Sequence, residues 1–475
     1  MLFEAFEETG LSQLSYAVGC QQSKELAIVD PRRDIDIYLD FAEQEGYVIR
    51  HVMETHIHAD FASGARELAE VTGAKLHLSG YDDNEVFEVA FDHLPIQEGD
   101  SVQMGNVRIE PMHTPGHTPE HVSFLVYDGA RSPDVPGVFL TGDFLFVGSL
   151  GRPDLLGEEA TRGLAKQALH SVRGKLHGLP DGLEIRPGHG AGSACGAGMS
   201  GRTVSTLGYE RAANPLLDPS LTEDEFIDTL LGNLPPAPDF YPRNKATNSE
   251  GPKPVQGMVD LIAEEIEVFG IDALKARMAD GAVVIDVRDR LAFNAAHIKG
   301  SLGIEFGDDL STWAGWVAPP DRPLILVDHE GDDELISDAI RALVRVGQDN
   351  VVGFLDGGFD AWLKAGEAFD NIPLVDAETA KTDLDHDRRA LWDMREASEW
   401  NDGHALGARH TPAHDARNGL DGVAEDEAVT LVCASGMRST VAASLLKREG
   451  YTNVANLMGG MDAWEEAGLP VVAKD

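Results

Sequence analysis

The sequence predicts an α/β protein, and three observations lead to that fold class. Apolar runs typical of strands alternate with helix-like segments from Leu14 to His189. Histidine or aspartate follows four of these strand patterns within a few residues. Later in the chain, an α/β pattern of about a hundred residues occurs twice, a period too long for a solenoid repeat.

The first part of the chain gives a clear order of elements. Apolar residues at helical spacing begin at Ile35, and Gly46 is a typical helix stop. Residues 190–235 are less regular, apart from an acidic helix near Glu223–Leu231. The other predicted elements are strands at Leu14–Val18, Glu25–Val29, Lys75–Leu78 and Val107–Pro111, and a helix at Gly64–Val71.

The later part of the chain is a duplication. Three segments show it: residues 284–288 (VIDVR) match 391–395 (LWDMR), residues 326–328 match 431–433, and residues 355–362 (LDGGFDAW) match 457–464 (LMGGMDAW). The sequence therefore predicts two related α/β domains in tandem.

Two stretches are predicted to be linkers. Residues 235–254 are rich in proline, asparagine, serine and charge, and a second linker is expected near residues 370–385. The predicted domains are therefore 1–242, 259–372 and 384–475.

The charge balance excludes some partners. The 475 residues include 81 Asp plus Glu against 38 Lys plus Arg, a formal net charge of −43, which argues against nucleic acid or an anionic membrane. A salt-rich cytoplasm would screen this charge, so a halophilic source is expected.

Other features favour the cytoplasm. The acidic N-terminus is not a signal peptide, and no apolar run approaches the ~18 residues of a membrane span. Cys20, Cys195 and Cys433 form neither a disulfide framework nor a zinc motif, as in a reducing compartment.

A metal site is the main chemical prediction. His56 and His58 follow a strand and are separated by one residue, so an extended backbone sends both side chains to one side, with Asp60 next. Alone, this pattern is equally typical of a polar loop with surface histidines. Three further strand ends favour a metal site: the first is followed by His113 and His117, the second by Asp143 and the third by His189. Imidazole and carboxylate groups together suit a transition metal.

These motifs resemble the metallo-β-lactamase family over roughly the first 240 residues, which implies an αββα sandwich. In binuclear hydrolases of the family, such as glyoxalase II, the motif is His-x-His-x-Asp-His. By that resemblance Asp143 would bridge two metals and His189 would be the last ligand. Phe61 stands in place of the final histidine, which weakens a two-metal mechanism.

A single iron is the alternative that the resemblance favours. The sequence is similar to the persulfide dioxygenases, which hold one Fe(II) with the residues matching His56, His117 and Asp143, zinc being the alternative metal. His58, Asp60 and His189 would then orient ligands or bound water. Simpler dioxygenases have histidine at position 61, whereas the dioxygenase–rhodanese fusions that this chain resembles throughout have an aromatic residue there.

Several other residues have open roles. By resemblance, Arg152 helps to hold the thiol carrier and Tyr209 lines the substrate site; a structural ion pair of Arg152 with Asp154 is equally expected. Cys195 either carries sulfur near the site or is an inert buried thiol. Surface positions are expected for His113 and His121, and a core position for Cys20.

The last domain carries a second active centre. Cys433 follows an apolar strand and precedes an apolar helix, so backbone N–H groups and the helix dipole favour a thiolate nucleophile there. The loop, Cys-x-x-Gly-x-Arg-Ser, resembles that of the rhodaneses, with Arg438 as the cation for an anionic acceptor. Gly436 and Ser439 would bind the substrate in the same loop.

The first repeat has lost this chemistry. Asp328 stands at the position of the nucleophile and Asp333 at that of Arg438, so carboxylates would repel anionic sulfur species. We therefore expect residues 259–372 to be an inactive rhodanese-like domain, kept for packing or domain placement.

Taken together, the resemblance implies an enzyme of sulfide detoxification. The first domain would oxidise a low-molecular-weight persulfide with O2 to sulfite, and Cys433 would transfer sulfane sulfur to sulfite to give thiosulfate. The alternative is a binuclear zinc thioester hydrolase of glyoxalase II type fused to a sulfurtransferase. Relatives tend to be dimers or tetramers, so a homo-oligomer is expected.

Overall fold

The computed structural model describes residues 1–82, 88–232, 234–255 and 266–473. The chain forms two compact units: the first is Met1–Gln256 with Val344–Gly347, and the second is Gly257–Leu343 with Gln348–Asp475. The first unit thus extends beyond the predicted boundary at residue 242. The predicted start of the second domain, residue 259, lies outside the described residues.

The first unit contains two six-stranded sheets. One has the order β1-β2-β3-β4-β5-β6 and the other the order β12-β11-β10-β9-β8-β7. The first sheet consists of β1 (Leu2–Glu8), β2 (Gln13–Cys20), β3 (Glu25–Val29), β4 (Val48–Met53), β5 (Lys75–Ser79) and β6 (Leu94–Ile96). The second consists of β7 (Val102–Met104), β8 (Val107–His113), β9 (Val122–Asp128), β10 (Val138–Gly142), β11 (Glu184–Pro187) and β12 (Ser205–Thr206).

Helices cover the outer faces of both sheets, which gives the predicted αββα sandwich. One apolar cluster, including Val18 and Phe124, fills the space between the sheets. A second joins the first sheet to α1 and α2, and a third joins the second sheet to α3, α4 and α5. The helices are α1 (Asp36–Glu45), α2 (Ala65–Thr72), α3 (Glu158–Lys175), α4 (Leu207–Ala213), α5 (Glu223–Leu231) and α6 (Tyr241–Glu250), with a 3-10 turn at Pro215–Leu217.

Local sequence explains several of these boundaries. Gly46 ends α1 in the left-handed conformation (φ 67°), as the sequence predicted. Thr222 and Glu225 form a capping box at the start of α5. The parallel strands β3, β4 and β5 end at one edge of the sheet, so the segment after β4 that carries His56 is placed at that edge.

The linker predicted at residues 235–254 is wrong. Tyr241–Glu250 forms α6, with five of its side chains buried in the first unit. Pro242 lies in its first turn, where a missing N–H costs nothing, so the proline begins a helix rather than breaking one.

In the second unit, the first repeat is built on a five-stranded parallel sheet of order β13-β17-β16-β14-β15. Its strands are β13 (Glu267–Phe269), β14 (Val283–Asp286), β15 (Leu302–Gly303), β16 (Leu324–Val327) and β17 (Val351–Leu355). Its helices are α7 (Ile271–Ala279), α8 (Arg290–Ala295), α9 (Leu310–Val317), α10 (Asp333–Arg345) and α11 (Gly358–Lys364).

The second repeat has the corresponding parallel sheet, of order β18-β23-β22-β19-β21. The strands of this sheet are β18 (Leu374–Val375), β19 (Ala390–Asp393), β21 (Arg409–His410), β22 (Val429–Val432) and β23 (Val454–Leu457). Two further strands, β20 (His404–Ala405) and β24 (Val471–Val472), form a separate antiparallel pair. The helices of the repeat are α12 (Ala377–Asp385), α13 (Ala397–Asp402), α14 (Met437–Arg448) and α15 (Gly460–Glu466), with a 3-10 helix at Ala413–Asn418.

The two repeats place equivalent residues at equivalent positions. Asp286 pairs with Val327 across β14 and β16, and Asp393 pairs with Val432 across β19 and β22. The central strands β16 and β22 are buried along their whole length, as continuous apolar strands of a parallel sheet should be. The second predicted linker is also wrong, because β18 and α12 occupy 374–385 and belong to the second repeat.

Among the described residues, no helix has both the length and the apolar character needed to cross a membrane.

Candidate metal centre and sulfur-transfer loop

Three predicted ligands converge in the first unit. Oδ2 of Asp143 lies 3.5 Å from Nε2 of His117 and 3.9 Å from Nε2 of His56. All three residues are buried, and Asp143 Oδ2 and His56 Nε2 have no hydrogen-bond partner among the described residues. Buried polar atoms are normally paired, so these two atoms fit a bound cation.

Hydrogen bonds set the histidine tautomers for metal binding. Nδ1 of His117 lies 2.8 Å from the carbonyl oxygen of Arg152 and must therefore donate to it. Thr55 donates its hydroxyl proton to Asp30 (3.0 Å), so Thr55 Oγ1 accepts from His56 Nδ1 at 2.9 Å. Both Nε2 lone pairs are left to face the site.

Burial keeps these two histidines neutral. It is the main cause of a pKa well below the usual value at His56, where the neighbouring histidines add to the effect. Burial also lowers the pKa of His117, against the opposing charge of Asp143. Neutral imidazole is the form that binds a metal.

His121 is placed differently from the prediction. It is fully buried rather than at the surface, and its Nε2 accepts the backbone N–H of Asp143 at 3.1 Å. Its ring stacks on His56, with centroids 5.0 Å apart. His121 thus orients one ligand and packs against another. The sequence signal was its position just before β9, within the same histidine-rich segment. His113 is partly exposed and stacks on Tyr81.

A second group of donors lies beside the first. His189 contacts two carboxylates: its Nδ1 is 2.7 Å from Asp143 Oδ1 and its Nε2 is 2.6 Å from Asp60 Oδ2. Burial opposes it, but these two carboxylates hold the pKa of His189 well above its usual value. Asp60, His189 and Cys195 offer ligand atoms within 4.8 Å of one another.

Phe61 packs on His58, whose ring centroid lies 4.2 Å from that of the candidate ligand His56. The Phe61 side chain is buried against the ring of His58, with centroids 4.3 Å apart. Nε2 of His58 points to Asp30 Oδ1 at 3.2 Å. Burial opposes it, yet the Asp30 carboxylate raises the pKa of His58 to about 8.

Arg152 is held by the ion pair that the sequence left open as an alternative. Its Nε and Nη2 donate to the two carboxylate oxygens of Asp154 at 2.7 and 2.8 Å, and Nη1 donates to the Ala194 carbonyl. Arg152 is only 1% exposed, so its side chain and its carbonyl contact to His117 both brace the metal site. Tyr209, by contrast, is exposed at the start of α4.

Cys195 is buried beside this cluster. Its Sγ lies 3.9 Å from the hydroxyl of Tyr241 in α6. Burial, followed by the charges of Asp60 and Asp143, raises the pKa of the thiol well above its usual value. Cys20 is buried in the core between the sheets, as predicted.

The second repeat builds a cradle around Cys433. The thiol sulfur accepts the backbone N–H of Gly436 at 3.1 Å and the hydroxyl of Ser439 at 3.4 Å. Gly436 has φ of 104° and precedes α14, so the helix begins directly behind the sulfur. These donors stabilise negative charge on sulfur, as the loop sequence predicted.

The repeated Gly-Gly motif explains how this loop is held. Gly460 lies against the carbonyls of Cys433 and Ala434 with φ of 62°, where a side chain would collide with the loop backbone. Met461 and Asp462 then donate their N–H groups to those two carbonyls at 2.7 and 3.1 Å. Only glycine allows this approach.

Arg438 is engaged by a carboxylate of its own repeat. Its Nη1 and Nη2 donate to the carboxylate of Glu399 at 2.5 and 2.8 Å. Arg438 therefore lies at the loop, as predicted, but both terminal amino groups are already paired.

The first repeat has filled its own cradle. The Asp328 carboxylate accepts backbone N–H groups from Gly331 at 2.9 and 3.0 Å and from Asp332 at 2.8 Å. The Gly331 N–H corresponds to the Gly436 N–H that Cys433 accepts, so an external anion would find this donor already occupied. The sequence predicted carboxylate repulsion at this loop, but it did not predict that Asp328 would accept hydrogen bonds from the loop's own N–H groups.

Comparison with protein families gives two matches. The metallo-beta-lactamase superfamily model matches residues 9–189, and the rhodanese-like domain model matches residues 271–365 and 376–467.

Individual relatives agree with these matches. The mouse (Mus musculus) protein named persulfide dioxygenase ETHE1, mitochondrial, is 31% identical over 228 residues, which cover 46% of this chain and 77% of the relative. Hydroxyacylglutathione hydrolase GloC from Haemophilus influenzae is 28% identical over 41% of this chain and 88% of its own. A crystal structure of a metallo-beta-lactamase from Staphylococcus aureus is 34% identical, with a TM-score of 0.65, over 75% of this chain and 99% of its own.

Proposed function

This chain belongs to the metallo-β-lactamase superfamily and carries two rhodanese-like domains after its metallo-β-lactamase domain, and from that premise we propose that it is a persulfide dioxygenase fused to a sulfurtransferase. In the first reaction a persulfide RSSH, O2 and water give the thiol RSH, sulfite and two protons. In the second, another persulfide and sulfite give RSH and thiosulfate, with the sulfur carried on Cys433.

The single observation that supports the first activity is how Asp143 divides its oxygens. Oδ1 pairs with His189, while Oδ2 is unpartnered and faces His56 and His117. These three residues fit a metal bound by two histidines and one carboxylate, an arrangement that leaves coordination positions open. Iron(II) held there would supply the redox chemistry that O2 requires.

The surrounding residues keep that ligand set rigid. Arg152 and Thr55 hold the ring protons of His117 and His56 on the side away from the site. His121 fixes the backbone of Asp143, and Phe61 packs on the ring of His58. We propose that Tyr209 and Arg152 line the substrate pocket, although the guanidinium of Arg152 is paired with the Asp154 carboxylate.

The second activity is supported by the donors around Cys433. The Gly436 N–H and the Ser439 hydroxyl stabilise a sulfur anion, so Cys433 can attack the outer sulfur of a persulfide and release the thiol. Sulfite then attacks the Cys433 persulfide and leaves as thiosulfate. Carrying both activities on one chain raises the local concentration of sulfite for its consumer.

The binuclear zinc hydrolase stays as a second candidate, and one observation favours it. Asp60, His189 and Cys195 form a second group of possible ligands, and a hydroxyacylglutathione hydrolase is among the relatives. Phe61, which stands where the binuclear hydrolases have a ligand histidine, supports the single site instead.

Metal analysis with oxygen uptake tests the choice. We expect one iron per chain and O2 consumption on glutathione persulfide, with sulfite or thiosulfate as product. Two zinc ions per chain with thioester cleavage and no O2 uptake would establish the hydrolase instead. A cytoplasmic location, a halophilic source and a homo-oligomer stay predictions.

A further inference from the structure

The two repeats meet beside the Cys433 loop. Asn294 in α8 of the first repeat donates its Nδ2 to the hydroxyl of Thr440 at 2.9 Å. Thr440 lies in the first turn of α14 and donates to the carbonyl of Gly436 at 2.8 Å. Asn294 and Thr440 are both buried, so this bond fixes α8 against the helix that begins at the active loop.

Arg290 lies on the same face of α8, one turn before Asn294. Residues four apart on a helix are neighbours on one side, so the face that contacts α14 also carries the Arg290 guanidinium. Glu305 is the main cause of a raised pKa at Arg290, and the charge of Cys433 adds to it, which places both groups within electrostatic range of the guanidinium.

The active loop itself offers little free positive charge. Glu399 offsets the charge of Arg438 and accepts one hydrogen bond from each of its terminal amino groups. Asp309, at the start of α9, adds an exposed carboxylate within electrostatic range of Arg438. An anionic acceptor therefore needs another cation if it is to approach Cys433.

Arg290 has donors to spare. Its Nη1 donates to Glu305 Oε2 at 2.8 Å, and the side chain is 33% exposed. A guanidinium has five N–H donors in a planar fork, which suits the oxygens of a sulfur oxyanion.

We propose that Arg290 is a substrate-binding residue for the active site of the second repeat, and that it holds the anionic sulfur acceptor, or the departing thiosulfate, at Cys433. The inactive repeat would then complete the active site of its neighbour, a role beyond packing. The identity of the acceptor rests on the proposed function; the placement of Arg290 does not.

The kinetic test uses the full-length protein with glutathione persulfide as donor and sulfite as the varied acceptor. For Arg290→Gln we expect the KM for sulfite to rise about ten-fold, as for loss of one charge-assisted hydrogen bond, while kcat changes less. Arg290→Lys should recover part of the loss. Arg277→Gln, which removes an exposed ion pair with Glu267 in the same repeat, should match the wild type.

A chemical readout separates this inference from the proposed function. The Cys433 peptide is quantified by mass spectrometry after alkylation with anionic iodoacetate or neutral iodoacetamide. We expect the iodoacetate-to-iodoacetamide rate ratio to fall at least three-fold in Arg290→Gln, and the fall to shrink at high salt, since screening weakens the field.

The outcomes are distinct. If the wild type makes no thiosulfate from sulfite, the proposed function fails, and the alkylation ratio alone decides on Arg290. An unchanged ratio in Arg290→Gln, or a loss of kcat in place of the rise in KM, would overturn the assignment of Arg290.

Discussion

The Nδ1 atom of His189 lies 2.7 Å from Oδ1 of Asp143, and this contact decides how the aspartate can serve a metal. With Oδ1 engaged, Asp143 presents only Oδ2 to His56 and His117. This arrangement is compatible with the proposed single ion at His56, His117 and Asp143.

Substitution of Asp143 should remove the iron. Asp143→Ala deletes the anionic ligand, so we expect iron content far below one per chain and no oxygen uptake with glutathione persulfide. Asp60→Ala, which removes the neighbouring carboxylate, should keep one iron per chain, with affinity reduced by about 10- to 100-fold as for loss of an outer contact.

Elemental analysis and an oxygen electrode check both variants. Full oxygen consumption by an iron-loaded Asp143→Ala protein would remove Asp143 from the ligand set. Loss of one of two bound metals in Asp60→Ala would instead support the binuclear hydrolase.

Substitution of Cys433 should separate the two activities. Cys433→Ser leaves the first unit intact, so oxygen uptake should persist while the product changes from thiosulfate to sulfite. Ion chromatography of the products measures this shift. Cys20→Ser is the matched control, because Cys20 lies in the core between the sheets and should leave both products unchanged. An unchanged thiosulfate yield in Cys433→Ser would exclude Cys433 from sulfur transfer.

Asp328 should be a stabilising residue with no catalytic role. Its carboxylate satisfies the N–H groups of Gly331 and Asp332, so Asp328→Ala should lower the free energy of unfolding by about 1–3 kcal/mol. Asp328→Cys in a Cys433→Ser background should not restore thiosulfate formation, since the first repeat has Asp333 at the position that corresponds to Arg438 in the second. Urea titration and the product assay measure the two effects. Restored transfer would show that the first repeat lost only its nucleophile.

The paired histidines His51 and His77 should make stability depend on pH. Their ring nitrogens lie 2.9 Å apart, and burial together with the charge of His51 lowers the pKa of His77 to about 4. Between pH 6.5 and 4, His77 therefore takes up a proton in the unfolded chain but not in the folded protein. The stability of the folded protein is thus unaffected by this group at neutral pH and decreases as the pH falls through that window.

The His77→Gln variant isolates the effect. Relative to wild type, its free energy of unfolding should fall less between pH 7 and 4, by about 1–3 kcal/mol. His386→Gln, at an exposed histidine, should follow the wild-type curve. Parallel curves of unfolding free energy against pH for the wild type and His77→Gln would show that His77 does not cause this pH dependence.

Much of the fold followed from periodicity. The strand at Glu25–Val29 and the helices that end at Gly46 and Leu231 agree with the sequence patterns, because apolar spacing and caps act locally. The candidate ligands His56, His117 and Asp143 were proposed from the resemblance to the persulfide dioxygenases, and the structure brings their side chains together. Their convergence supports the site, while the metal itself stays a prediction.

What the sequence missed depends on contacts between distant segments. Histidine is a polar residue that is expected at the surface, and only the fold brings His121 to the backbone N–H of Asp143. The helix α6 lacks apolar periodicity, because four of its five buried residues are polar: Asn244, Lys245, Asn248 and Ser249. A helix that buries polar groups looks like a linker until its partners are known.

Asn248 in that helix should be needed for the metal loop. Its Nδ2 donates to the carbonyls of His58 and Phe61, both at 2.8 Å, and its Oδ1 accepts the Ser63 N–H at 2.9 Å. Asn248→Ala leaves these buried groups unpaired, so we expect a loss of about 1–3 kcal/mol of stability and weaker iron binding. Thermal unfolding with and without iron measures both, with the exposed Asn418→Ala as control. A loss of stability with unchanged iron affinity would assign Asn248 to folding alone, because the loop geometry would then persist without it.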